Sequence, residues 1–135
     1  VEDKELEEIK QKKLQDMMNK HKESQELEQI SIVDINQANF NDIITKNSLV
    51  LIDFWAEWCG PCRLMHPVFD RMSKKYKQIK FARLNVDQNQ NLAMQFNVQS
   101  IPTFIMFKDG KEAQRMMGAV GEPGIHMIAK KFTGC

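Results

Sequence analysis

The stretch Asp53-Phe54-Trp55-Ala56-Glu57-Trp58-Cys59-Gly60-Pro61-Cys62, DFWAEWCGPC, holds two of the three cysteines in the 135-residue chain. An apolar run from Leu49 to Trp55, with Asp53 as its one charge, leads into the pair. Such a run reads as a central strand covered on both faces. On the far side Leu64, Met65, Val68, Phe69, Met72 and Tyr76 recur at helical intervals, so the pair is delivered from a strand to the first turn of a helix. Pro67 lies inside that helix and is expected to kink it.

Three chemistries compete for a CxxC pair. A structural zinc site wants four ligands, usually two such pairs or a pair plus nearby histidines. Here there is no second pair; His66 is one turn past Cys62, and His21 and His126 are far off in sequence. A disulfide closing so small a loop removes little chain entropy and makes a poor staple. The setting favours redox chemistry. Unpaired amide N–H groups and the positive dipole end of a helix favour a thiolate over a thiol. Cys59, at the exposed start, is then the nucleophile with a depressed pKa. Cys62, one turn inside, is shielded and resolves the mixed disulfide. Gly60 admits a partner's backbone, and Pro61 suits the first helical turn and stiffens the loop.

Working outward, Ser31 to Ile35 reads as a short strand, with Asn36 capping a helix through Phe40, Ile43 and Ile44 to Lys46. Ile79 to Val86 is a further strand, followed by a short helix around Asn91 to Phe96. Thr103 to Phe107 and Glu112 to Met117 flank Lys108-Asp109-Gly110-Lys111, a hairpin turn signal. Pro123 near a helix start, with Ile125, Ile128, Ala129 and Phe132, marks a final amphipathic helix. The order β-α-β-α-β-α-β-β-α predicts a mixed α/β sheet, parallel where helices link strands and antiparallel at the closing hairpin, with helices on both faces.

Residues 1–28 differ in character. They are rich in Glu, Lys and Gln and lack Gly and Pro, and Leu6, Ile9, Leu14, Met17 and Met18 form a thin apolar stripe. They read as a charged helical extension ahead of a domain over residues 29–135. Its alternatives are a solvated helix, or one packed on the domain or on a partner.

The chain is 42% hydrophobic and 27% charged, enough apolar content to build a core without covalent staples. A net charge of +1 from 19 basic and 18 acidic residues gives no nucleic-acid footprint and no polybasic membrane signal. Three cysteines are too few for a disulfide-dense secreted scaffold. No secretory apolar segment and no membrane-length run is present, so the expected location is cytoplasmic. The first residue is Val1 rather than methionine, which points to processing or trimming.

WCGPC preceded by DFWAE closely resembles the active-site signature of the thioredoxin family. The resemblance extends over about residues 30 to 133 and includes RLNVDQNQ at 83–90, SIPTFIMFKDG at 100–110 and GAVG at 118–121. It implies the thioredoxin fold, a five-stranded mixed sheet in the order 1-3-2-4-5 with two helices on each face.

The resemblance also assigns roles. A buried carboxylate is costly unless paired or hydrogen-bonded, so the pKa of Asp53 should rise; the alternative is a purely structural Asp. In the family the matching Asp lies behind the second cysteine, which makes Asp53 the general base for Cys62. The family usually carries Lys near this Asp, whereas the matching residue here is Arg83, which would lower the Asp53 pKa if it reached the carboxylate. His66 stands where a small residue is common; it either faces the Asp53 pocket and adds a titrating group, or is a surface or boundary histidine. Ile101-Pro102 fits the family's cis-proline site, leaving the Ile101 backbone free to pair with an extended substrate segment; the alternative is an ordinary trans proline. Trp58, Gly60, Pro61, Ile101, Gly118 and Ala119 would surround Cys59 as a flat, mostly uncharged docking surface. Cys135 reads as a free terminal thiol.

The reaction implied is thiol–disulfide exchange, reducing disulfides of target proteins and leaving Cys59 and Cys62 as a disulfide. The chain has no GxGxxG and hence no nicotinamide or flavin site of its own, so a separate thioredoxin reductase is implied. No metal or organic cofactor is needed, no nucleic acid or membrane partner is expected, and the protein should be a monomer. The rivals are an oxidase or isomerase of the same fold and a docking module in a larger assembly.

Overall fold

The computed structural model describes residues 32–134, with elements β1 (Ile32–Asp34), α1 (Phe40–Lys46), β2 (Leu49–Trp55), α2 (Gly60–Lys75), β3 (Lys80–Asn85), α3 (Gln90–Gln95), β4 (Thr103–Lys108), β5 (Lys111–Met117) and α4 (Gly121–Thr133). The extension at 1–28 and Cys135 lie outside the described residues.

The strands form one five-stranded sheet in the order β1-β3-β2-β4-β5. β3 pairs parallel with β1 and β2, while β4 runs antiparallel to β2 and β5. The expected topology is therefore present. The hairpin turns through Asp109 and Gly110, both at positive φ (53° and 82°), the geometry of a type I′ connection.

Alternation along β2 sorts the core. Val50, Ile52 and Phe54 point to one face, where they meet Phe40 and Ile44 of α1 and Leu92 of α3. Leu51 points to the other, where Phe81, Phe104 and Met106 meet Met65, Phe69 and Met72 of α2 and Ile125 and Ile128 of α4. A strand places residues two apart on the same side. Asp53 and Trp55 therefore share the face of Leu51 and look toward α2, as Arg83 does beside Phe81. This is what carries a charge into the space beneath the cysteine-bearing helix.

Two local expectations need correction. α1 begins at Phe40 rather than at an Asn36 cap: the Asn36 side chain accepts from the Ala38 and Asn39 amides, at 2.9 Å each, and is used up in a preceding turn. The short helix is Gln90–Gln95, one residue earlier than expected. α2 carries Pro67 within one helical element, packed by Met65, Phe69 and Met72 on both sides of the proline.

Candidate active site

α2 starts immediately after Cys59, which is its N-cap, and the Cys62 amide donates to the Cys59 Sγ at 3.2 Å. Pro61 occupies the first turn, where its missing N–H costs nothing. Cys59 and Cys62 are joined by a disulfide, with their Cα atoms 5.3 Å apart. The two sulfurs are not equivalent: Cys62 is fully buried, whereas Cys59 keeps 5% of its surface, and its neighbours Trp58, Gly60 and Pro61 are exposed. Of the pair, Cys59 is the one a large partner can reach.

Around that edge the structure gathers most of the expected docking residues. The Ile101–Pro102 peptide bond is cis, and the Ile101 carbonyl oxygen lies 3.8 Å from the Cys59 Sγ. Gly118 donates its amide to the Pro102 carbonyl at 2.8 Å and sits at φ +90°, a conformation that only glycine adopts without strain. Ala119 follows it and is exposed. Beneath the sulfurs, Ala56, Trp55, Val86 and Ile101 close an apolar floor. Trp58 is 68% exposed, and its Nε1 donates to the Asp87 Oδ2 at 2.9 Å. Asp87 is a participant that the sequence reading missed; its position in the β3–α3 loop, 29 residues from Trp58, left no local signal.

Asp53 is completely buried, and neither carboxylate oxygen has a hydrogen-bond partner among the described residues. The Arg83 Nε approaches the Asp53 Oδ2 to 3.9 Å, an ion pair without a hydrogen bond. Burial pushes the Asp53 pKa up to about 7, against the pull of Arg83. The expected effect of Arg83 is therefore real in sign but outweighed, since desolvation of a fully buried carboxylate exceeds one incompletely formed ion pair. The Arg83 guanidinium instead donates to the Asp70 Oδ1 at 2.9 Å and to the His66 carbonyl at 3.0 Å.

His66 is half-buried, with its ring edge-on to Trp55 at 4.6 Å between centroids. Its Nε2 is buried without a partner, and burial, helped by Arg83, pushes its pKa below the usual histidine value. The histidine packs against the tryptophan at the edge of the core, and it meets Arg83 both through its backbone carbonyl and through the charge that helps to lower its pKa.

A mixed sheet presenting a CxxC disulfide at a helix N-terminus, beside a cis-proline, defines a dithiol–disulfide exchanger. A family model described as Thioredoxin matches residues 31–131. The chain is 39% identical over 100 residues to a chloroplastic M-type thioredoxin of Chlamydomonas reinhardtii, covering 73% of this chain and 71% of that protein. It is equally 39% identical over 100 residues to a thioredoxin of Synechocystis, covering 73% of this chain and 94% of that one. Among solved structures, a Plasmodium falciparum thioredoxin superposes with a TM-score of 0.72 at 33% identity, covering 75% of this chain and 99% of that one. The chain belongs to the thioredoxin family and is a thiol–disulfide oxidoreductase whose redox group is its own cysteine pair. Its partners are accordingly disulfide-containing proteins and a reductase. Among the described residues no helix is long and apolar enough to cross a membrane, and no three His, Cys, Asp or Glu side chains are grouped to hold a metal ion.

Proposed function

We propose that the protein is a reductant of protein disulfides, with Cys59 as attacking thiolate, Cys62 as resolving thiol and Asp53 as the base that serves it. The observation that carries this order is the asymmetry of the pair: Cys59 at the accessible edge, held by a helix-terminal amide, and Cys62 buried behind it. The Cys59 thiolate attacks one sulfur of a target disulfide, forming a mixed disulfide and releasing the other target sulfur as a thiolate. Cys62 then gives up its proton and attacks the Cys59 sulfur. The target's second thiolate leaves and is protonated, and the Cys59–Cys62 disulfide remains. Asp53, with a pKa near neutrality, is suited to accept the Cys62 proton. Trp58, Gly60, Pro61, Ile101, Pro102, Gly118 and Ala119 form the docking surface, on which a target segment pairs with the free Ile101 backbone.

The direction rests on Gly60-Pro61, the dipeptide of the reducing type among these exchangers. A separate thioredoxin reductase returns two electrons to the pair. A reducing compartment, the cytoplasm, and a monomeric state fit this role. The test is Cys62→Ser: with a disulfide-linked target protein it should accumulate a covalent adduct through Cys59 that dithiothreitol releases, while Cys59→Ser forms none. Absence of the adduct, or its formation through Cys62 in Cys59→Ser, would reverse the assignment.

The family match begins at residue 31, which favours treating residues 1–28 as an addition to the exchanger at 29–135. We propose that this addition docks on a partner. Comparing the mass in solution and the target reduction of 1–135 and 29–135 tests it; no change in either removes the docking role.

A further inference from the structure

We propose that Asp70 is a positioning residue for this site: by gripping the outer side of the Arg83 guanidinium, it keeps Arg83 short of hydrogen-bond contact with the Asp53 carboxylate. The proposal rests on the reading of Asp53 as the base, and it concerns what sets the state of that base.

Arg83 has three acceptors within reach and satisfies only the outer two. One terminal nitrogen donates both to the Asp70 Oδ1, at 2.9 Å, and to the His66 carbonyl, at 3.0 Å. On the inner side the Nε–H is buried without a partner and faces Asp53, whose own oxygens are also unpartnered, across 3.9 Å. A buried donor and a buried acceptor facing each other would ordinarily close to about 2.9 Å. The guanidinium is a rigid planar fork, so anchoring its terminal nitrogen also fixes where Nε sits. Its face is further held over the Phe69 ring, 5.5 Å from the centroid. Among the described residues Asp70 is the one charged outer anchor of Arg83, from helix α2 and half in solvent.

On the other side of Arg83 in the sheet stands Asp34 of β1, its register partner, which is exposed and makes no ion pair with it among the described residues. Beside Asp53 in the sheet, β3 contributes Arg83 and β4 contributes the uncharged Phe104. α2 contributes His66 and Asp70, both through Arg83, and Cys62 within the disulfide. Glu122 at the start of α4 is engaged by Arg71 at 3.8 Å. Loosening Asp70 therefore frees Arg83 to move onto Asp53 and favour its carboxylate form. With Asp70 in place the base keeps its proton affinity near neutrality, consistent with the direction that burial gives it.

The test follows the Asp53 carboxyl carbon by NMR across pH in the full-length oxidised protein. Asp70→Ala, which removes the acceptor together with the charge, should lower its titration midpoint by about one pH unit, a tenfold loss of proton affinity. Asp70→Glu, which restores the anchor, should recover most of it. Removing a nearby negative charge could act directly through space, so the same change is made in an Arg83→Gln background, where the proposal predicts no shift. An unchanged midpoint in Asp70→Ala, or an equal shift with and without Arg83, overturns the proposal. The pH dependence of mixed-disulfide release is followed in the same variants. If the midpoint moves and the release rate does not follow it, the grip of Asp70 stands and the role of Asp53 as base fails.

Discussion

Replacing Asp53 by Asn removes the one buried carboxyl group among the described residues while keeping the size of the side chain. The wild-type carboxyl has a pKa of about 7 in the folded protein against an ordinary 3.8. Because the folded value is raised, the folded state holds the proton more tightly than the unfolded chain. The penalty is absent below about pH 4, where both states are protonated. It grows as pH rises, because the unfolded chain ionises while the folded state cannot do so cheaply, and it is complete above about pH 7. A gap of roughly three pH units corresponds to about 4 kcal/mol. Asparagine mimics the protonated carboxyl at every pH, and Arg83 keeps Asp70 and the His66 carbonyl as partners. Asp53→Asn should therefore match the wild type to within about 1 kcal/mol at pH 4 and exceed it by about 3–4 kcal/mol at pH 8. Urea denaturation of the oxidised proteins at half-unit pH steps measures this directly. A stability difference that does not change with pH would refute the reasoning, since it would mean that Asp53 ionises as readily inside the fold as outside.

Other substitutions test the scaffold. Gly124→Ala should destabilise by about 1–3 kcal/mol in chemical denaturation, although Ala is the better helix former, because a Cβ there would lie 2.4 Å from the Val120 Cβ. Phe81→Ala, which empties a fully buried ring site between Phe69 and the sheet, should cost about 3–5 kcal/mol in the same assay without altering the Cys59–Cys62 potential.

The strand–helix alternation and the cysteine pair's place at a helix start were legible, because each depends on local periodicity or on a motif carried whole in one stretch; the sheet order came only through the resemblance to the thioredoxin family, since the pairing of distant strands leaves no local period. The face of Asp53 was also within reach, since alternation from Leu51 settles it. What was not legible arises where distant groups compete. Whether Arg83 or burial governs Asp53 depends on a 3.9 Å gap and on who else holds the guanidinium. Asp70, 13 residues from Arg83 on a different element, announces nothing in sequence. The same holds for Asp87 and Trp58. Asn36 misled because a capping side chain serves a turn as readily as a helix, and here the turn comes first.

The measurement that bears most directly on the reductase reading is the reduction potential of the Cys59–Cys62 pair, by equilibration against defined thiol buffers in Cys135→Ser protein. The account predicts a value close to about −270 mV, the reference value for thioredoxin itself. A value near −120 mV, roughly that of a strong disulfide oxidant, would contradict it and make the protein a donor of disulfides.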